Sequence, residues 1–344
     1  MKRNYLLMIV ASILMFGCNS NKTKTELVEL KEDAPLSGKI IFSSDEIGDI
    51  TNMIVKGDYI IFSDGHPSAK NYFYAINKHT GELVAIYGQR GHGPNEFLYP
   101  NVILNDNSYN DNKKLDIYDG QLKALFTLSV EDINDIKIIS KTDMPAKLSF
   151  TNYMNKLGDN IVCKTIRPGG KELFRVVDCK NNNIVQSEGF FDCSVNINAM
   201  DSSYIYDAKL LARSDGDFIM AGMTFFDYVD LYDKDGLFKR YQFSKNPLPQ
   251  TNSNGSIDKY IIYTLWGYCG NENYYILRGA YDITKKDELG GVTLIVFDNK
   301  GEYKKHYDLD RYFIRMCIDE QSGKLYGAIT DDETGFVNVI EYQL

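Results

Sequence analysis

The sequence predicts an all-β fold, a six-bladed β-propeller with four-stranded antiparallel blades, and three observations carry that reading. The first is composition and period. The chain holds 25 Tyr and 18 Phe against one Trp, residues that suit pleated, half-buried surfaces, and from Lys39 onward it shows almost no sustained helical period. The second is repetition. A short apolar run opened by Gly, Asp or Asn starts at Tyr59, Leu115, Asn160, Phe218, Tyr274 and Leu325, and a strand ending in a polar turn follows it at Asn77, Ser129, Asp178, Asp233, Asp298 and Glu341. Both series give six units of about 53 residues, room for four strands and their connections. The third is what remains at the ends. The last unit runs through Phe313–Ile318, Leu325–Ile329 and Phe336–Leu344 and stops one strand short, while residues 38–43 form a strand with no blade of its own. Pairing that strand beside Phe336–Leu344 completes blade six and closes the ring without exposed edges, so a monomeric propeller domain is expected.

Taken in order, the chain opens with Lys2 and Arg3 and then an apolar stretch, Tyr5 to Phe16, broken only by Ser12. That is the layout of a secretory signal, too short for a membrane span. Gly17-Cys18 follows and resembles the lipobox of bacterial lipoproteins, although Met15-Phe16 departs from its commonest form. The resemblance implies cleavage before Cys18, lipid attachment there and a stable membrane anchor. Residues 1–17 are thus the signal peptide and residues 18–37, which lack apolar periodicity, a lipidated flexible tether. Residues 38–344 are the propeller. In blade one the strands are expected at Thr51–Val55, Tyr59–Asp64, Asn71–Asn77 and Glu82–Tyr87. The turns Lys78-His-Thr-Gly81, Asp233-Lys-Asp-Gly236 and Asp298-Asn-Lys-Gly301 each end a hairpin on glycine.

The segment from Tyr87 to Pro100 carries Gly88, Gly91, Gly93, Pro94, Glu96, Phe97 and Pro100 at the positions of the blade junction in NHL-type propellers. With the lipobox and the length, the chain resembles the TolB-like six-bladed propeller lipoproteins of Bacteroidetes over residues 38–344. The resemblance implies the fold and a place on the outer membrane. Members of that group mostly lack an assigned activity, so it implies no catalytic residue. Asn19-Ser-Asn-Lys-Thr after Cys18 is not the acidic patch associated with surface export in the group, which favours the periplasmic side. Phe97 is expected to fill the gap between blades one and two.

Net charge narrows the partners. Removing residues 1–17 leaves 36 basic against 47 acidic side chains, a formal charge of −11. Without a basic block, nucleic acid is excluded as a partner. Cys163, Cys179, Cys193, Cys269 and Cys317 are odd in number and show no CxxC spacing, so neither a zinc site nor a complete disulfide framework is written; Cys179 with Cys193 is the one sequence-close pair for a bridge. His66, His79, His92 and His306 are scattered, no catalytic motif is present, and no metal ligand or cofactor is assigned.

Function in a propeller normally sits where the inner strands converge. The expected first residues of those strands are Asn52, Asn101, Asn152, Asp207, Asp258 and Arg311, a ring of amides and charges around a channel mouth. Arg90, His92 and Asn95 sit on the blade-one junction loop at the same face. Trp266, with Tyr263 and Tyr268, is either core or a stacking platform; the acidic segments Asp282–Gly291 and 331–333 read as solvated loops. The expected function is a non-enzymatic binding or scaffolding module for a protein, peptide or glycan in the envelope. The alternative is a calcium-type hydrolase or lactonase in which ring oxygens hold the cation.

Overall fold

Hydrogen bonding in the computed structural model divides the described residues into six small sheets arranged as a six-bladed β-propeller, with one separate two-stranded hairpin. The structure describes residues 23–31, 33–103, 113–148, 151–165, 170–285, 289–331 and 333–344; Cys18 and the signal segment lie outside them. From the axis outward, blade one is Ile50–Lys56, Tyr59–Asp64, Asn71–Asn77 and Leu83–Arg90. Blade two is Pro100–Val102, Lys114–Asp119, Ala124–Ser129 and Lys137–Asp143, and blade three Thr151–Leu157, Asn160–Thr165, Glu172–Asp178 and Asn183–Gly189. Blade four is Ala208–Ala212, Ile219–Met223, Tyr228–Asp233 and Gly236–Gln242; blade five is Ile261–Cys269, Asn273–Asp282, Val292–Asp298 and Tyr303–Leu309. Blade six takes Arg315–Asp319, Lys324–Thr330 and Val337–Gln343 from the C-terminal end and Lys39–Ser44 from the N-terminal one.

The expected ring closure is therefore present, with Lys39 opposite Glu341, Ile40 opposite Ile340 and Ser44 opposite Val337. Each apolar run of the first repeat is the second strand of a blade, and the polar turns of the second repeat from Asn77 to Asp298 close third strands, whereas Glu341 lies within the third strand of blade six. Gly81, Gly236 and Gly301 all take positive φ in their hairpins. At Gly81 a Cβ would lie 1.9 Å from the Ile41 carbonyl oxygen, so glycine there lets the blade-one hairpin abut the closing strand.

Second strands are largely buried on both faces because each sheet is sandwiched between two others; the third strand of blade one is too, that of blade two alternates, and the outer strands are mostly exposed or half-buried. Phe97 is fully buried between blades one and two, its ring 5.8 Å from Phe73 and 5.1 Å from Phe126 in edge-on contacts. Polar links reinforce the blade interfaces. Asn155 Nδ2 donates to the Leu210 carbonyl at 2.9 Å, Arg278 grips Asp227 with two nitrogens at 2.7 and 2.8 Å, and Lys156 pairs with Asp116. Blade one meets blade six through a buried pair, Lys78 Nζ to Asp319 Oδ2 at 2.8 Å.

Three sequence expectations are corrected. The second half of the tether is not loose: Lys24–Leu27 adds a parallel fifth strand to the outer edge of blade four, and Val28 is buried beyond it. The chain then crosses blade five, where Leu36 bridges Leu309 and Asp310 accepts hydrogen bonds from Ser37 and Gly38. An open strand edge supplied the backbone partners that a sequence without periodicity does not reveal. Second, Cys179 and Cys193 are not bridged and all five described cysteines are free; the pair belongs to different apolar clusters, on either side of blade three. Third, two inner strands begin later than expected, which moves Asp258 and Arg311 out of the ring. No helix among the described residues is long and apolar enough to cross a membrane.

Candidate functional site at the channel mouth

Inner strands of neighbouring blades pack on one another around the axis, and all of them enter from the same face, so residues near their starts gather at one mouth. Asn52 and Asn101 lie on the inner strands of blades one and two, Asn52 buried and Asn101 turned back onto the Tyr99 carbonyl. Asn152 is the second residue of the inner strand of blade three. Asp207 directly precedes that of blade four.

The other two members stand elsewhere. Asp258 is exposed on a separate hairpin, Gln250–Thr251 with Ile257–Lys259, set into the crossing from blade four to blade five. That hairpin has strand-like text of its own, which displaced the expected start of the inner strand from Ile261. Arg311 lies in the crossing into blade six, where Phe313 is spent filling the core; the arginine that opens the inner strand is Arg315. On the blade-one junction, Arg90 is held by the Tyr72 hydroxyl and the Pro67 carbonyl, whereas His92 and Asn95 are exposed.

Asp207 is the electrostatic centre. Its Oδ1 accepts from Lys164 Nζ at 2.8 Å, and its Oδ2 from Lys209 Nζ at 3.1 Å and Thr224 Oγ1 at 2.7 Å. Burial alone would raise its pKa; Lys209, Lys164 and the hydrogen bonds from Lys164 and Thr224 overcome that and hold the carboxyl far below the usual range. One carboxylate thus serves two ammonium groups. Lys209 also donates to the Tyr153 hydroxyl at 3.2 Å and lies 4.6 Å from the centre of its ring.

Tyr153 lies in a bulge of the inner strand of blade three and has φ +50°, a costly backbone conformation for a bulky residue and one that clusters at functional sites. Its ring stands edge-on to Trp266, 6.5 Å away, and Arg315 lies over Trp266 at 4.5 Å. Arg315 donates to two backbone carbonyls, Thr51 at 2.7 Å and Ile314 at 2.8 Å. Burial pushes its pKa below the usual arginine value, though such a group stays charged. Outside, Tyr204 and Tyr260 flank buried Phe225 and are 49% and 37% exposed, forming an aromatic shelf carried by the short helix Ser202–Ile205 and the end of the hairpin.

Tyr153, Lys209 and Arg315 are absent from the ring that the sequence suggests. Lys209 was within reach of it, being the second residue of an inner strand; Tyr153 shows itself only through its backbone. Trp266 is core by burial and yet faces a cation.

No family description matches the chain, and no curated protein matches it. Solved structures do. A "putative exported protein" of Bacteroides fragilis superimposes with a TM-score of 0.57 at 12% identity, covering 93% of this chain and 99% of that one. A member of the DUF4221 family from Bacteroides vulgatus gives 0.55 at 11% identity, over 90% and 94%. At such identities the likeness establishes the fold.

Proposed function

We propose that this chain is an envelope lipoprotein of the TolB-like propeller group, anchored at Cys18 in the outer membrane on its periplasmic side. Its channel mouth binds an acidic protein, peptide or glycan without catalysing its conversion. The observation that carries the reading is the surplus of cations at the mouth: Lys164 and Lys209 share Asp207, and no ion pair of Arg315 exists among the described residues. In a chain of net charge −9, a local cationic focus walled by aromatic rings attracts anionic groups and offers apolar faces to what carries them. The Bacteroides fragilis neighbour, described as a "putative exported protein", supports an envelope location. A calcium-assisted hydrolase is the weaker reading, since both Asp207 oxygens are engaged by cations and Asp258 stands on the outlying hairpin.

The test uses the mature protein in non-ionic detergent, titrated with polyglutamate and polygalacturonate and, as controls, polylysine and neutral dextran. Binding of the acidic polymers that falls with salt and weakens about tenfold in Lys209→Met is the expected result. Equal binding of dextran, or of none of the four, overturns it. For the anchor, Cys18→Ser is expected to move the protein from the membrane to the soluble fraction; retention in the membrane rejects lipid attachment at that residue.

A further inference from the structure

Five residues separate Cys18 from Lys24, where the strand that docks on blade four begins. Fully extended, a chain over that interval reaches at most about 20 Å. Were that strand not docked, the leash would run on to Lys39 in the closing strand of blade six and reach roughly 70 Å. Docking therefore removes most of the loose length and fixes where the remainder starts. Thr23 Oγ1 bonds the Leu237 carbonyl and Lys24 stands opposite Lys239, so the leash leaves the molecule at the outer edge of blade four, beside the hairpin 233–236. The surface around that exit carries exposed apolar side chains from two blades. Phe238 follows the hairpin in the outer strand of blade four and is 39% exposed. On the outer strand of blade three, Ile184 and Val185 are 40% and 56% exposed. The next residue, Gln186, donates to the Asp233 carbonyl at 2.7 Å, which brings the two blades together at the hairpin. Charges among them are balanced: Lys234 pairs with Asp235 at 2.6 Å, and Lys24 with Glu26 at 3.7 Å. Exposed apolar groups set among polar ones mark an interaction surface.

We infer that this edge of blades three and four is the surface the propeller lays against a lipid bilayer, with Ile184, Val185 and Phe238 entering its interfacial layer. The inference rests on lipid attachment at Cys18. Given that anchor, the occupant follows from reach, because a leash of about 20 Å holds this edge next to the bilayer that it enters. Apolar side chains buried at the interface add to the hold of the acyl chains. The mouth opens along the channel axis and not at the edge, so this contact leaves it clear of the lipid.

Fluorescence reads the contact, because the chain has one tryptophan and Trp266 is buried, which gives a constant background. The mature lipidated protein is placed on phosphatidylcholine vesicles with and without bromine on the acyl chains. Val185→Trp and Phe238→Trp are compared there with Ile86→Trp, 48% exposed on the outer strand of blade one across the ring. Bromine is expected to quench the added emission at 185 and 238 and to leave that at 86 unchanged. Equal quenching at all three positions, or none at either 185 or 238, overturns the inference. Val28→Asp, which frees the strap, should abolish the quenching while the protein stays on the vesicles; quenching that persists overturns the strap as the element that sets the contact. Vesicle flotation and the mass of the N-terminal peptide keep this apart from the anchor reading. Protein that floats with the vesicles, carries lipid at Cys18 and shows no quenching sinks the surface alone, whereas protein without lipid at Cys18 sinks the anchor and the surface with it.

Discussion

Asp207 shows how much one side chain can organise at the mouth. Its carboxylate compensates Lys164, itself buried, and Lys209, and orients Thr224. Asp207→Asn would leave two ammonium groups facing each other in a poorly solvated place and is expected to cost about 3–5 kcal/mol at neutral pH, read by chemical denaturation. The sign of the pH dependence follows from the depressed pKa. The stabilisation is full above the ordinary aspartate value of about 3.9 and is lost as pH falls through the lower folded value. The gap between wild type and variant should therefore be constant from neutrality to about pH 5 and narrow only in stronger acid; a gap that closes between about pH 7 and 5 would assign the effect to another group. The free thiols divide in the same residue-by-residue way. Cys163, Cys269 and Cys317 are buried, and burial pushes the Cys269 and Cys317 thiols up. A maleimide should label Cys179 and Cys193 in the native protein and all five only after unfolding; native labelling of Cys317 would contradict the packing.

Among the elements, the N-terminal strap has the largest consequence for how the molecule is held. Lys24–Leu27 runs parallel to Gly236–Gln242, and Val28 is packed with Tyr241 and Phe297 in the cluster between blades four and five. Thr23 Oγ1 also bonds the Leu237 carbonyl. The strap covers an edge strand that would otherwise present unpaired backbone groups. Val28→Asp puts a charge into an apolar cluster and is expected to release the strap at a cost of about 2–4 kcal/mol. Amides of Gly236–Gln242 should then exchange faster, with blade one unaffected as internal control. Uniform exchange across all blades would mean that the strap is part of one cooperative unit instead.

At the scale of the whole molecule, stability depends on closing the ring. The N-terminal strand Lys39–Ser44 seals blade six, Gly81 of blade one abuts that strand, and Lys78 binds Asp319 across the same junction. Lys78→Met removes one partner of a buried pair and leaves Asp319 to Ser322 and local amides. A loss of about 3 kcal/mol is expected, in a single transition if the ring unfolds as a unit. A variant as stable as wild type would show that apolar packing alone closes the circle. The acidic polymers act at the opposite end of the channel, so this variant should bind them normally.

Much of the fold is legible in the sequence because a propeller repeats a local pattern. Alternating apolar residues, glycine at hairpin ends and an orphan strand at each terminus are all properties of neighbouring residues, and a ring is the arrangement that uses them without remainder. The same locality makes Phe97 readable as the plug between two blades. What the sequence could not determine is where an inner strand begins after an irregular crossing: one residue of register, one hairpin or one core phenylalanine moves the mouth from Asp258 to the strand opening at Ile261, and from Arg311 to Arg315. Nor could it join Tyr153, Lys209, Trp266 and Arg315, which come from four blades. Their meeting depends on the six-fold closure and on a bulge that places Tyr153 at positive φ. Sequence determined the ring; tertiary structure alone decided which charges face one another across its centre, because the Coulomb energy depends on distances that only ring closure sets.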